Sequence, residues 1–268
     1  MLAYEALDDK EAISASPASF YRVMRDEDLA GPRSTSRDTS TRSGKPPREE
    51  IDGPLQRICW DISYIHTHQR HRYFYLYTVL DEWSRKVLAW CIKHNRKKLH
   101  AEKMLNELYF KENLMERADE DMPVVINDNG SQMKAKSVQQ MFEDMGIDQF
   151  FTRPHTPNDN PFVEALFKTV KYHPEYPNKF RVLQEAQTYF DLYFQWYNTE
   201  HLHSSIGYIT PSDKHNGLGE SIQKMRKRRL KEARQERIRK HTNQQKANTE
   251  KKKSLENQEN ELECVVRA

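Results

Sequence analysis

Between Arg57 and His66 the chain reads RICWDISYIH. Ile58, Trp60, Ile62 and Tyr64 alternate with Cys59, Asp61, Ser63 and Ile65, and this period of two predicts a strand. Apolar runs over Arg72–Asp81 and Arg85–Lys93 predict two more, with Glu82-Trp83-Ser84 turning between them, so that three antiparallel strands follow in succession. The period then changes. Leu99, Met104, Leu105, Leu108, Tyr109 and Leu114 give a helix over Leu99–Arg117, and Pro123–Asp128 gives a fourth strand. Ser137–Met145 reads as a helix stopped by Gly146, and Ile147–Thr152 as a fifth strand. Asn160 is a good N-cap with Pro161 at the first helical position, and Phe162, Ala165, Leu166 and Val170 mark the apolar face of the helix that follows. Val182–Tyr197 is a further helix, aromatic on its buried side through Tyr189, Phe190, Tyr193, Phe194 and Trp196. A nucleic-acid stacking platform is one use of such a row, but aromatics at helical spacing read first as core. The expected class is α/β, a mixed five-stranded sheet with flanking helices.

The two ends read differently. Ser16 can cap and Pro17 can open a short helix with apolar Phe20, Val23 and Met24 beside exposed Arg22 and Arg25, stopped at Gly31-Pro32. Residues 33–50 are rich in Ser, Thr, Arg and Pro, the composition of a linker. Ile222–Lys240 carries ten basic and two acidic residues, which allows a solvated helix, and the Asn, Gln, Lys and Glu after His241 suggest disorder. The division expected is a helical segment over 1–31, a linker over 32–54, a globular core over 55–217 and a basic tail over 218–268.

Charge sharpens this division. Residues 221–268 hold 15 Lys/Arg against 7 Asp/Glu, net +8, while the whole chain is +3, so residues 1–220 carry −5. A basic tail on an acidic body points to a polyanion, most often nucleic acid. No run of 18 apolar residues predicts a membrane span, and no charged start followed by an apolar stretch predicts a secretory signal. Cys59, Cys91 and Cys264 lack CxxC spacing, which favours a reducing compartment and disfavours zinc. His155, His201, His203 and His215 match no zinc pattern either.

Three acids stand out. Asp61 lies mid-strand among bulky residues, where a carboxylate is disfavoured and costly if buried alone. Asp128 ends the run Val124–Asn127, just before Asn129-Gly130 turns the chain. Glu164 is in the first turn of its helix, with Lys168 and Lys171 on the same face. Two strand acids and one helix acid can converge on Mg²⁺ or Mn²⁺, and like charges packed so closely need a cation between them. Asp81, a fourth strand-end acid, reads as structural, bonding the turn at Ser84 or Arg85, with membership of the acidic set as the alternative.

Asp61 in WDISYI, Asp128 in NDNGSQ and Glu164 in NDNPFVEALFKTVK together resemble the DDE triad of retroviral integrases and bacterial insertion-sequence transposases. The match is nearer to the integrase-like second-frame protein of the large bacterial group whose transposase is made by frameshifting. Tyr197-Asn198, His203, Ile206-Gly207 and Thr210-Pro211 resemble that group's C-terminal motif, and the resemblance runs from about residue 55 to 217. It implies an RNase H-like catalytic core and a DDE polynucleotidyl transferase that cuts element ends and joins them to target DNA. It further implies two Mg²⁺ or Mn²⁺ ions on Asp61, Asp128 and Glu164, and DNA contacts from Lys168, Lys171, Arg22, Arg25 and His203. Residues 1–31 would be a partial helix-turn-helix, and so a poor reader of sequence, with a plain helix as the alternative. A homo-oligomer on DNA, an upstream-frame partner, and a cytoplasmic, nucleoid-associated location belong to the same picture. Where relatives carry an arginine in or next to the His201–Leu202 pair, this chain has none. A non-catalytic DNA-binding remnant or repressor, and an RNase H-fold nuclease, are the competing readings.

Overall fold

The computed structural model describes residues 6–7, 15–27, 51–128, 130–152 and 160–266. Contacts divide the chain into two units, Met1–Arg37 with Glu220–Ala268, and Asp38–Gly219. In the former, helix α1 spans Pro17–Asp26 and starts as expected, with the Ser19 amide donating to Ser16 Oγ at 3.2 Å. Its apolar stripe is narrower than the sequence suggests, because Val23 is 55% exposed. Gly31-Pro32 and the linker at 33–50 lie outside the described residues.

Asp38–Gly219 is built on one sheet. Strands β1 (Arg57–His66), β2 (Tyr73–Asp81) and β3 (Val87–Lys93) pair antiparallel in sequence order. Helix α2 (Lys98–Lys111) then leads to β4 (Val124–Asn127), which pairs parallel with β1, and α3 (Lys136–Asp144) leads to β5 (Gln149–Phe151), parallel to β4. The order is β3-β2-β1-β4-β5, the mixed five-stranded sheet of an RNase H-like fold. Helix α2 is shorter than the apolar spacing predicts. It ends at Lys111, and Asn113 turns left-handed at φ 51°, so that Leu114 reaches the core from a 3₁₀ turn. Gly146, at φ 68°, does close α3.

The pleat sends alternate residues to opposite faces. Ile58 and Trp60 of β1 join a core with Tyr77, Val79, α2 and α3. Cys59 and Ile65 join the other core, with Leu76, Leu80 and two helices, α4 (Pro161–Lys171) and α5 (Leu183–Thr199). Each large side chain so buried stabilises by about 1.5–3 kcal/mol. The buried face of α4 is Val163, Leu166, Phe167 and Val170, rotated from the expected one: Ala165 is exposed and Phe162 half-buried. The i, i+3, i+4, i+7 set starting at Val163 places three aliphatics and a phenylalanine inward, which the set starting at Phe162 does not. Along α5, Phe190, Tyr193, Phe194 and Tyr197 are buried, with Tyr189 and Trp196 packed against them. The aromatic row is core.

After α5 come α6 (Pro211–His215) and α7 (Gly219–Val266), the latter in the smaller unit. Helix α7 corrects the expectation of disorder after His241, since helix continues to Val266. No Gly or Pro interrupts residues 220–266, and ion pairs such as Arg228–Glu232 (3.6 Å) and Glu236–Lys240 (3.0 Å) support it at i,i+4 spacing. Among the described residues no helix is long and apolar enough to cross a membrane.

Candidate catalytic site

Asp61 sits in the middle of β1, opposite Thr78 of β2. Its parity is that of Cys59 and Ile65, so it lies on the sheet face against which α4 and α5 pack. The sequence cannot avoid burying part of this carboxylate, since its strand neighbours are core. Burial pushes the carboxyl up to about 6; the Ile62 amide, donating at 2.7 Å, pulls it back, the charges of Asp128 and Glu164 raise it, and Lys171 lowers it. Asp61 therefore feels the charge of both other acids singled out in the sequence.

Asp128 follows β4 directly. Asn127, fully buried, fixes that strand end: its Nδ2 donates to the Asp128 carbonyl at 3.0 Å, its Oδ1 accepts from Gln149 Nε2 at 3.0 Å, and its carbonyl accepts from the Thr152 amide at 2.9 Å. Sequence reasoning missed Asn127 and Gln149. A buried amide immediately before the acid is the one signal that could have found them. The Gly130 amide donates to Asp128 Oδ1 at 2.9 Å, so close that a Cβ on Gly130 would stand 2.9 Å from that oxygen and 2.9 Å from Met133 Sδ. Gly130→Ala is expected to turn the Asp128 carboxylate away and cut turnover at least about tenfold, a loss near 1.4 kcal/mol in barrier, with a much smaller effect on melting temperature. Turnover and melting curves on the same preparation check it; unchanged turnover would show that Asp128 does not need this cradle.

Glu164 occupies the first turn of α4, partly exposed, with its carboxyl raised by burial and lowered by Lys168. Two turns on, burial lowers Lys171 while Asp61 raises it, so this ammonium faces the strand acid. The start of α4 is braced from the β2–β3 turn: the Arg85 guanidinium lies 3.7 Å from the centre of the Phe162 ring, and its Nε donates to Ser205 Oγ at 3.3 Å. The donor chemistry fits a hard divalent cation, with three carboxylates and no sulfur or imidazole in the set. Among the described residues, however, no group of three His, Cys, Asp or Glu stands close enough to hold an ion as arranged.

The remaining predicted contacts divide. Lys168 and Arg22 are exposed, and the Arg25 side chain lies outside what is described, as does His155. His203 caps the 3₁₀ turn Ser204–Ile206, its Nδ1 accepting from the Ser205 amide at 3.3 Å. Burial and the charges of His201 and Arg85 push its imidazole down to about 4, so it is neutral near pH 7 and suited to the cap. Asn198 is likewise structural: its amide accepts from Val87 N and donates to Val87 O, both at 2.9 Å, pinning the end of α5 to β3. Asp81 accepts from Ser84 as the sequence suggested, and also from Leu55 and His215.

Two family profiles, both described as integrase core domain, match residues 52–157 and 145–211. Asp61 and Asp128 fall in the first and Glu164 in the second; together they span more than half of the chain. The chain belongs to the integrase core domain family. It is 27% identical over 154 residues to the transposase for insertion sequence element IS904 of Lactococcus lactis, covering 57% of this chain and 58% of that protein. It is 26% identical over 145 residues to the putative transposase InsK for IS150 of Escherichia coli, covering 54% and 50%. The chain thus spans little more than half the length of these relatives. A chain of the simian T-cell lymphotropic virus intasome, solved with a PP2A regulatory subunit, is similar at TM-score 0.48 and 17% identity, over 65% of this chain and 60% of that one.

Proposed function

We propose that this protein is a DNA transposase, a DDE polynucleotidyl transferase that cleaves element ends and transfers strands by metal-dependent phosphoryl transfer. The observation that carries the reading is the electrostatic influence of Asp128 and Glu164 on Asp61, which lies on the sheet face covered by the Glu164 helix. Two Mg²⁺ or Mn²⁺ ions, when bound, would clamp the attacking and leaving oxygens of an in-line displacement. Asp61 and Asp128 would hold them from the strand scaffold, and Glu164 from α4. Lys171 balances the charge of Asp61 and, with Lys168, is placed to receive phosphate oxygens of the bound strand. Asn127 and Gly130 keep Asp128 in place. A strand-transfer assay on plasmid DNA with and without Mg²⁺ tests the reading. Metal-dependent joining supports it; binding without cutting favours a non-catalytic remnant, and cutting without joining favours a nuclease.

The domain boundaries at 31, 54 and 217, a homo-oligomer on DNA, an upstream-frame partner and a cytoplasmic, nucleoid-associated location belong to the same proposal. So does DNA holding by the tail. Removing residues 221–268 is expected to leave Asp38–Gly219 folded and to flatten the dependence of DNA affinity on salt, because net +8 is lost and counterion release sets that slope. Equal slopes for full-length and truncated protein would make the tail a bystander. With residues 1–31 a partial helix-turn-helix, affinity should be nearly sequence-blind, on the order of micromolar at physiological salt. Competition between element ends and shuffled DNA measures this, and a hundredfold preference for the ends would contradict it.

A further inference from the structure

Beyond the acids, Asp38–Gly219 carries a cleft of about 750 Å³ where the β1–β2 hairpin meets the segment leading into α5. Its walls are tied together by backbone. The Phe180 amide donates to the His66 carbonyl at 3.0 Å, and the His68 amide to the Phe180 carbonyl at 3.1 Å, so residues 180–182 run alongside the end of β1. The hairpin turn is fastened by Thr67 Oγ1, which donates to the carbonyls of Gln69 and Arg72 at 3.1 and 2.9 Å. This construction sets Arg72, from the hairpin, and Arg181, from the other wall, on one cleft with His71, His94 and Tyr73.

The chemistry of the lining is one-sided. It contains two arginines and two histidines and no Asp or Glu. Both guanidinium groups are exposed, and among the described residues neither is paired with a carboxylate. The nearest acid in sequence, Glu185, is engaged with the Arg181 backbone amide at 2.7 Å. Unpaired arginines on a rigid frame with flat rings beside them suit phosphate oxygens and stacked bases rather than a neutral ligand. The position adds to this. Asp61 and His66 lie on one strand, five residues or about 17 Å apart, close to five base-pair steps of a duplex.

We propose that this cleft is a phosphodiester-binding subsite that grips a DNA strand about 17 Å from the triad acids, along the direction of β1. The inference rests on the transposase reading for its substrate, but it makes a separate claim about where DNA is held. An acidic peptide of a protein partner is the other polyanion with matching charge; the unpaired arginines beside stackable rings favour nucleic acid.

Full-length protein carrying Arg72→Ala and Arg181→Ala together is to be compared with wild type by fluorescence anisotropy, using a short labelled duplex over a range of salt. Lys103→Ala, on the exposed face of α2, is the charge control. Both arginines are exposed, so melting curves should coincide. The expected result is about tenfold weaker binding at low salt and a log–log slope shallower by about two phosphates, with the control unchanged. An unchanged slope in the double variant would overturn the subsite, as would an equal loss in the control. A loss of polyglutamate binding with DNA binding intact would also overturn it, in favour of a protein partner. Absence of DNA binding by the wild type would instead bring down the transposase reading itself.

Discussion

Asp61→Asn is expected to abolish strand transfer while leaving the protein folded and slightly more stable. The carboxamide has the shape of the carboxylate and can still accept from the Ile62 amide, so the strand is undisturbed. What is lost is the charge. Where three carboxylates must hold cations at a phosphoryl-transfer site, removing one ligand charge should cost on the order of a thousandfold in turnover, about 4 kcal/mol of barrier. The fold gains, because the charge it no longer has to accommodate is disfavoured by burial and by Asp128 and Glu164. That relief is about 2 kcal/mol or less, a rise of a few degrees in melting temperature for a unit of this size. A second readout needs no substrate. Millimolar Mg²⁺ should raise the melting temperature of the wild type by mass action and leave Asp61→Asn unmoved. A variant that still joins DNA, or that is stabilised by Mg²⁺ as the wild type is, would remove Asp61 from the metal site.

The opposing signs of these two effects explain why the acid could be read from sequence at all. A strand of bulky alternating residues has no use for a carboxylate at its centre, so Asp61 stands out against the local pattern. The strands were legible for the same reason: a period of two in Val, Ile, Tyr and Trp has few other interpretations. Periodicity was less decisive on α4, where Phe162, Val163, Leu166, Phe167 and Val170 allow two neighbouring faces, and only tertiary packing chooses the one that starts at Val163. The far end of α7 was ambiguous in another way. A Lys, Glu, Gln and Asn composition without Gly or Pro suits a solvated helix as well as a coil.

Long-range polar ties were illegible. Asn198 looks like a polar residue at a helix end until Val87, 111 positions away, supplies both halves of its amide's hydrogen bonding. Gly130 reads as a turn glycine; its closeness to the Asp128 carboxylate depends on a fold that local sequence does not encode. Asp81 was half legible. Ser84, three residues on, announces the turn, but His215 is 131 residues from Ser84 and no spacing links them.

That buried cluster carries the largest expected effect on stability. Asp81 is fully buried and accepts from Leu55 N at 2.9 Å, Ser84 N at 2.8 Å and Ser84 Oγ at 2.5 Å, with His215 Nδ1 3.5 Å away. Asp81→Ala would strand these donors in the core at about 1–3 kcal/mol each, about 4–6 kcal/mol together, against a total of roughly 5–15 for a domain. A fall of more than about 10 °C in melting temperature, or insoluble protein, is the expected outcome. A variant melting within 2 °C of wild type would show that water replaces the carboxylate. The cluster also sets a pH dependence. Burial would raise Asp81, but bonds from His215 and Ser84 outweigh it and hold the carboxyl below its ordinary 3.8; burial would lower His215, but Asp81 and Glu112 outweigh it and hold the imidazole above its ordinary 6.5. Lys86, 4.0 Å from Glu112, is the other charge facing the ring and opposes its protonation. The stability from a raised histidine is fully present below pH 6.5 and is lost as pH climbs through its higher folded value. The stability from a depressed aspartate is present above 3.8 and is lost as pH falls below that. Stability should therefore be greatest between about pH 4 and 6.5 and decline on the alkaline side as His215 loses its proton. His215→Gln, which keeps a donor toward Ser84 without the charge, should lower stability in the acid range and flatten that alkaline decline. Melting temperatures of both proteins from pH 5 to 9 decide the matter, since parallel profiles would mean that His215 titrates without contributing to the fold.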